Sequence, residues 1–149
     1  MKLLFTCFLF SLPFFSFSQT NVNFTMLDST ENAVLHRNKD LELSLGVRNE
    51  LTSLVRTQED GLKLIFKKHD GNATTFDYDT YIFDKNDKCK SVSTIVSLGR
   101  LSTFLGALHE SGFETMRENF YYNKEKNIKA VVESNTAKKI FAATYTRGK

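Results

Sequence analysis

Between residues 51 and 145, apolar side chains recur at every second position and turn residues interrupt them at short, fairly even intervals. Leu62, Leu64 and Phe66 alternate with Lys63 and Lys67, Phe76 and Tyr78 with Asp77 and Asp79, and Val92 and Val96 stand against Ser91 and Ser93. Successive side chains of a strand point to opposite faces, so a period of two with one wet face predicts an antiparallel sheet. The punctuation agrees. Gln58-Glu59-Asp60-Gly61 and His69-Asp70-Gly71-Asn72 bracket one run, and Asp84–Lys88 follows Tyr81-Ile82-Phe83. Asn123–Asn127 and Glu133–Thr136 separate the last runs. Asp-Gly is a strong hairpin signal, and Asp and Asn tolerate the backbone angles that tight turns need.

One segment breaks the period. Leu101, Phe104, Leu105 and Leu108 fall at i, i+3, i+4 and i+7, which is one face of a helix, and Gly112 is suited to end it. The pattern predicts a helix at 99–111 lying across the sheet. Over residues 26–47, Asp28 or Ser29 can cap a short helix with Val34 and Leu35 on its apolar face, Glu31 standing at capping-box distance from Asp28. Leu41, Leu43, Leu45 and Val47 then alternate, which predicts a strand after that helix. The sum is an α+β domain: an antiparallel sheet of about six or seven strands with one or two helices packed on one face. The layout resembles that of cystatin-like domains and of small periplasmic inhibitor and assembly-factor domains, and no motif selects among them.

Residues 1–18 carry one cation, Lys2, then an apolar run from Leu3 to Phe17, with small residues at Ser16 and Ser18. That is the layout of a cleaved signal peptide, and the run is shorter than the roughly 20 residues a spanning helix needs. Residues 19–149 then form a single exported domain, periplasmic or extracellular. It has no Pro/Gly/Ser-rich linker, no block of like charge and no repeat of 20–50 residues. Its lone cysteine, Cys89, cannot supply a disulfide framework and reads as a small buried hydrophobe on a strand.

Twenty Lys and Arg against 17 Asp and Glu give a net charge of +3. Nucleic-acid binding requires a sustained basic excess, so no nucleic acid is expected as a partner. The lysines at hairpins instead guard sheet edges against stray pairing. An EF-hand register from Asp84 fails, since it puts Cys89 where glycine is wanted and Ile95 where a bidentate Glu is wanted. Asp77 and Asp79 share a strand face about 7 Å apart, read as the solvated face of the strand. His36, His69 and His109 lack metal-ligand spacing, and no nucleophile elbow, phosphate loop or dinucleotide fingerprint occurs. Neither a cofactor, a metal nor a catalytic set is expected. Two N-x-T sequences, at Asn23 and Asn72, would matter only in a eukaryotic secretory pathway.

The aromatics point further. Tyr78, Tyr81, Tyr121 and Tyr122 lie on predicted strands, and some strands carry large apolar groups on both faces. Aromatic surface left uncovered marks binding sites, so these four are the candidate binding residues. The expected function is a non-catalytic exported module, inhibitor-like or immunity-like, engaging another envelope or secreted protein. The alternative is a small apolar-ligand carrier with a cavity between helix 99–111 and the sheet. A hydrolase acting through Asp77, Asp79 and His109 is the third reading.

Overall fold

Strands form where the alternation lies, in a computed structural model that describes residues 22–45, 48–57, 61–69 and 77–148. The predicted leader and Asn72 lie outside these residues. A 3-10 turn at Phe24–Met26 leads into helix α1, Glu31–Leu45, and four strands follow: β1 Arg48–Thr57, β2 Gly61–His69, β3 Asp77–Phe83 and β4 Cys89–Ser97. A second 3-10 turn, Leu98–Arg100, leads into α2, Leu101–Glu110. Four more strands complete the chain: β5 Glu114–Arg117, β6 Phe120–Asn123, β7 Ile128–Asn135 and β8 Ile140–Arg147. All eight make one antiparallel sheet in the order β1-β2-β3-β4-β8-β7-β6-β5. The fold is α+β with both helices on one face of the sheet.

The turn chemistry is that expected of Asp and Asn. Asp84 Oδ1 accepts the backbone N–H groups of Asn86 and Lys88 at 2.8 and 3.0 Å. Asn123 Oδ1 accepts from Lys126 N, and Asn135 Oδ1 from Lys138 N, both at 2.9 Å. Gly112, with φ of 85°, ends α2 in a Schellman motif: its N–H donates to His109 O, and Phe113 N–H donates to Leu108 O. Gly61 has φ of 81°, and a Cβ there would stand 2.5 Å from the carbonyl oxygen of Phe83, so both conformation and space require glycine.

Three expectations are corrected. Residues 41–45 are not a strand but the end of α1. Val34, Asn38 and Leu41 form one helical stripe at i, i+4 and i+7, and the polar Asn38 in its middle hid the period. Neither Asp28 nor Ser29 caps α1: Thr30 Oγ1 accepts Ala33 N–H at 3.3 Å, and Asp87 Oδ1 accepts Glu31 N–H at 3.0 Å. Asp28 instead adopts φ of 66° and pairs with Arg147. The strand count is eight because β5, exposed along its whole length, has no alternation to betray it.

The element order repeats. Each half of the chain runs through a 3-10 turn, a helix and a four-stranded antiparallel meander. The halves meet only at β4 and β8 within the sheet, and the strand order reads the same from either edge. An approximate two-fold axis normal to the sheet therefore relates them. It passes beside Ser93 and Thr144, which are register partners joined by a 2.8 Å hydroxyl hydrogen bond. The axis exchanges Thr80 with Val131 and Asp79 with Ala130, as the strand registers require. The helices bury their fourth and eighth residues alike, Val34 and Asn38 in α1, Phe104 and Leu108 in α2. The repeat spans about half the chain and its side chains differ, so no shorter sequence period announces it.

The core lies between the sheet and the helices. One row across it reads Leu64, Tyr81, Val92, Tyr145, Ala130 and Tyr121, all register partners and all buried. Phe104, Leu108 and Phe113 close it from the α2 side, with the Phe104 and Phe141 rings 5.0 Å apart.

Candidate functional site

Residues directly opposite in an antiparallel pair point to the same side of the sheet. The side away from the helices can therefore be read from the registers. Its central row runs Phe120, Val131, Thr144, Ser93, Thr80 and Ile65 across six strands. A second row runs Tyr122, Lys129, Thr146, Ser91, Ile82 and Lys63. A third places Glu133, Ala142, Ile95, Tyr78 and Lys67 side by side. On β3, β4 and β8 this face carries no charge from Ser91 onward: only Ser, Thr, Ala, Ile and Tyr. Charge returns at the flanks, as Lys63 and Lys67 on β2 and Lys129 and Glu133 on β7.

None of the described elements covers this face, since both helices pack on the other. An uncovered antiparallel face is normally polar. Here Ile65, Ile82, Ile95, Val131, Ile140, Phe120, Tyr78 and Tyr122 are all only partly buried, and no described helix lies over them. Eight strands at about 4.8 Å spacing span roughly 34 Å, which is the scale of a standard protein interface of about 800 Å² per partner. An apolar centre depleted of charge with lysines at its rim is the composition of such interfaces.

The four candidate tyrosines divide by strand parity. Tyr78 and Tyr122 lie on the open face, with β4, β8 and β7 between their strands. Tyr122 OH donates to Asn127 Oδ1 at 2.8 Å. Tyr81 and Tyr121 point to the helix side and are only 1% and 8% exposed, which withdraws them from any docking surface. Sequence reading did not single out Phe120, Ser93, Thr144 or Ile95. The signal was present in Ser91 and Ser93, which alternate with Val92 as a strand's outer face should.

The chain matches no protein-family model, no curated protein and no solved structure. Function must therefore be argued from geometry.

The helix side holds a second polar feature. Asp79 was expected on a solvated face and is instead 1% exposed in the core. The reason is that Asp77 and Asp79 share parity with Tyr81 and Phe83, whose burial sets the inward side. Asp79 Oδ2 pairs with Lys68 and accepts Asn23 Nδ2–H at 2.7 Å, and Oδ1 accepts the Thr94 hydroxyl at 2.7 Å. Asn23 Nδ2 also donates to the Tyr81 hydroxyl oxygen. Asn23 is buried and engaged, so it is closed to glycosylation as the chain is folded. Burial and the Asp79 carboxylate raise the phenols of Tyr81 and Tyr145 far above the ordinary range and keep them neutral. Asp77 pairs with Arg100, just before α2. His109 lies at the other end of α2, about 13 Å away by helix rise, with Nδ1 on Phe113 O at 2.9 Å. The structure does not bring Asp77, Asp79 and His109 together.

Among the described residues no cluster of three or more His, Cys, Asp or Glu is arranged to hold a metal ion, and no helix is long and apolar enough to cross a membrane. A cavity of about 230 Å³ opens beside Glu31, Arg56, Leu62, Phe83 and Asp87, away from α2. Cys89 is fully buried, and burial pushes its thiol up to about 11 from an ordinary value near 9. Cys89 of the folded protein is therefore expected to resist alkylation by iodoacetamide at pH 8 and to react at once in denaturant. Because the unfolded thiol ionises first, stability falls as pH rises from about 9 towards about 11. Equal labelling in both states would show the thiol to be exposed.

Proposed function

We propose that this chain is a non-catalytic, exported binding module that engages another envelope or secreted protein through the open face of its sheet, in the manner of an inhibitor or immunity partner. The uncharged, hydroxyl-floored band across β3, β4 and β8 carries this reading. Solvation alone would favour charges there, and they stand only at the rim. The hydroxyls of Thr80, Ser91, Ser93, Thr144 and Thr146 can meet a partner's backbone, while Ile95, Ile82, Val131 and Phe120 bury its apolar side chains. Export rests on the apolar run Leu3–Phe17 followed by polar Gln19-Thr20-Asn21.

The test is capture by a C-terminally tagged chain from envelope and secreted fractions of the source organism, run beside Ser93→Arg. Ser93 is at the centre of the face, so an arginine there blocks docking while leaving the helix-side core untouched. One stoichiometric protein retained by the parent and lost by Ser93→Arg, with both melting at the same temperature, is the expected result. Capture indifferent to Ser93→Arg removes the open face from the function. Turnover of generic ester, peptide or glycoside substrates, abolished by Asp77→Ala or Asp79→Ala, refutes the non-catalytic reading.

A further inference from the structure

One set of buried polar groups has the members of a bond-forming reaction. Lys68 Nζ and Asn23 Nδ2 both donate to the same oxygen, Oδ2 of Asp79, the asparagine at 2.7 Å. Two donors on one acceptor stand within about 5 Å of each other. An amine, a carboxamide and a carboxylate between them therefore meet at one point. Each comes from a different part of the chain: Lys68 from β2, Asp79 from β3, and Asn23 from just before the first 3-10 turn. The Thr94 hydroxyl takes the other carboxylate oxygen at 2.7 Å and leaves Oδ2 to the two nitrogens. The Tyr81 hydroxyl, 2.5 Å from Asn23 Nδ2 and 3.3 Å from Asp79 Oδ2, fixes the carboxamide against the carboxylate. Phe66, the register partner of Asp79, is buried and packs edge-on against Tyr81 with ring centres 5.8 Å apart, which shields the set from water.

The fold does not require this set. The approximate two-fold puts Ala130 at the position of Asp79 and Asn123 at that of Lys68, so the second half packs the same places without a charge. Nor is a buried ion pair a ready source of stability, because desolvation offsets its attraction. A lysine amine held beside a carboxamide, with a carboxylate placed to move protons between them, has the geometry of an oriented nucleophilic attack.

We propose that Lys68 and Asn23 join in an intramolecular isopeptide bond, with Asp79 as the proton carrier. The Lys68 ammonium gives one proton to Asp79 Oδ2. The freed lone pair of Nζ attacks Asn23 Cγ, forming the new C–N bond while the carbonyl π pair moves to Oδ1. Asp79 passes its proton to Nδ2 and takes another from Nζ. The pair on Oδ1 then re-forms the carbonyl, the Cγ–Nδ2 bond breaks and ammonia leaves. The products are a secondary amide, a protonated Asp79 and one ammonia, so atoms and charge balance without a co-reactant and both buried charges disappear. The step occurs once per chain, on the chain itself, and is independent of partner binding at the open face. It fastens the N-terminal segment covalently to β2.

The experiment is mass spectrometry of the purified, folded chain, intact and after trypsin digestion in denaturant. The expected result is a mass one ammonia below that of the unlinked chain, and a branched peptide in which Asn23 is joined to an uncleaved Lys68. The branched peptide decides, because Gln19 at the predicted cleavage point would also lose ammonia on cyclising. Lys68→Arg keeps the positive charge beside Asp79 but replaces the amine with a guanidinium, and Asp79→Asn removes the proton carrier; neither should yield the branched peptide. Free tryptic cleavage at Lys68 in the parent, after prolonged incubation of the folded protein at neutral pH, would overturn the proposal. A link formed with loss of water would also overturn it, since that joins Lys68 to Asp79 instead. A branched peptide that persists in Asp79→Asn would remove Asp79 from the chemistry and overturn the mechanism.

Discussion

Lys68→Met is expected to cost about 3–5 kcal/mol of folding stability, the penalty for leaving a buried charge without its counter-ion. Asp79 is fully enclosed, and the Lys68 side chain is only 14% exposed, so water cannot substitute for the lost ammonium. The remaining donors, from Asn23, Thr94 and Tyr81, are neutral. Adding Asp79→Leu to Lys68→Met should give a double variant more stable than Lys68→Met alone, because an apolar pair replaces an orphaned charge. Urea unfolding of the three proteins reads this directly. A loss under about 1 kcal/mol in Lys68→Met would place the pair with solvent-screened surface bridges, and Asp79 would not be the buried charge described above.

Phe104→Ala is expected to cost a similar amount, about 3–5 kcal/mol, by opening a cavity. Phe104 is fully buried, and its ring lies 5.0 Å from that of Phe141 at 55°. Leu105, the next residue along α2, is only partly buried. Leu105→Ala should cost clearly less, and equal losses would mean that α2 does not face the sheet as described. Phe104→Ala also bears on the carrier reading. If the parent holds an apolar ligand between α2 and the sheet, added fatty acid should stabilise the parent as well as the enlarged variant; stabilisation confined to Phe104→Ala would count against a carrier.

The strand alternation made most of the sheet legible, because one covered face imposes period two directly on the sequence. Gly112 marked the end of α2 for an equally local reason. What escaped was set by tertiary context. Asn38 interrupts the apolar stripe of α1 while turning back on its own helix, Nδ2 donating to Val34 O at 2.9 Å, and no local pattern announces a buried asparagine. Asp79 looks like a wet residue until β3 is placed under Asn23 and beside Lys68 and Thr94. Parity alone could have separated Tyr81 and Tyr121 from Tyr78 and Tyr122, but which parity faces inward depends on where the helices land. The Ser and Thr band on the open face is visible in sequence only as an ordinary wet face. Its meaning comes from the rows that the register assembles.

The approximate two-fold has a kinetic corollary. Each half is a run of neighbours in sequence, so most strand pairings within a half close short loops. Joining β4 to β8 closes a far longer one, Ser91 meeting Thr146, and Asp28 then reaches across to Arg147 at the chain's other end. Topologies dominated by local pairings form quickly, and distant ones lag. Refolding of this protein is therefore expected to show fast formation of the pairings within each half and a slower closure of β4 on β8, where Ser93 meets Thr144.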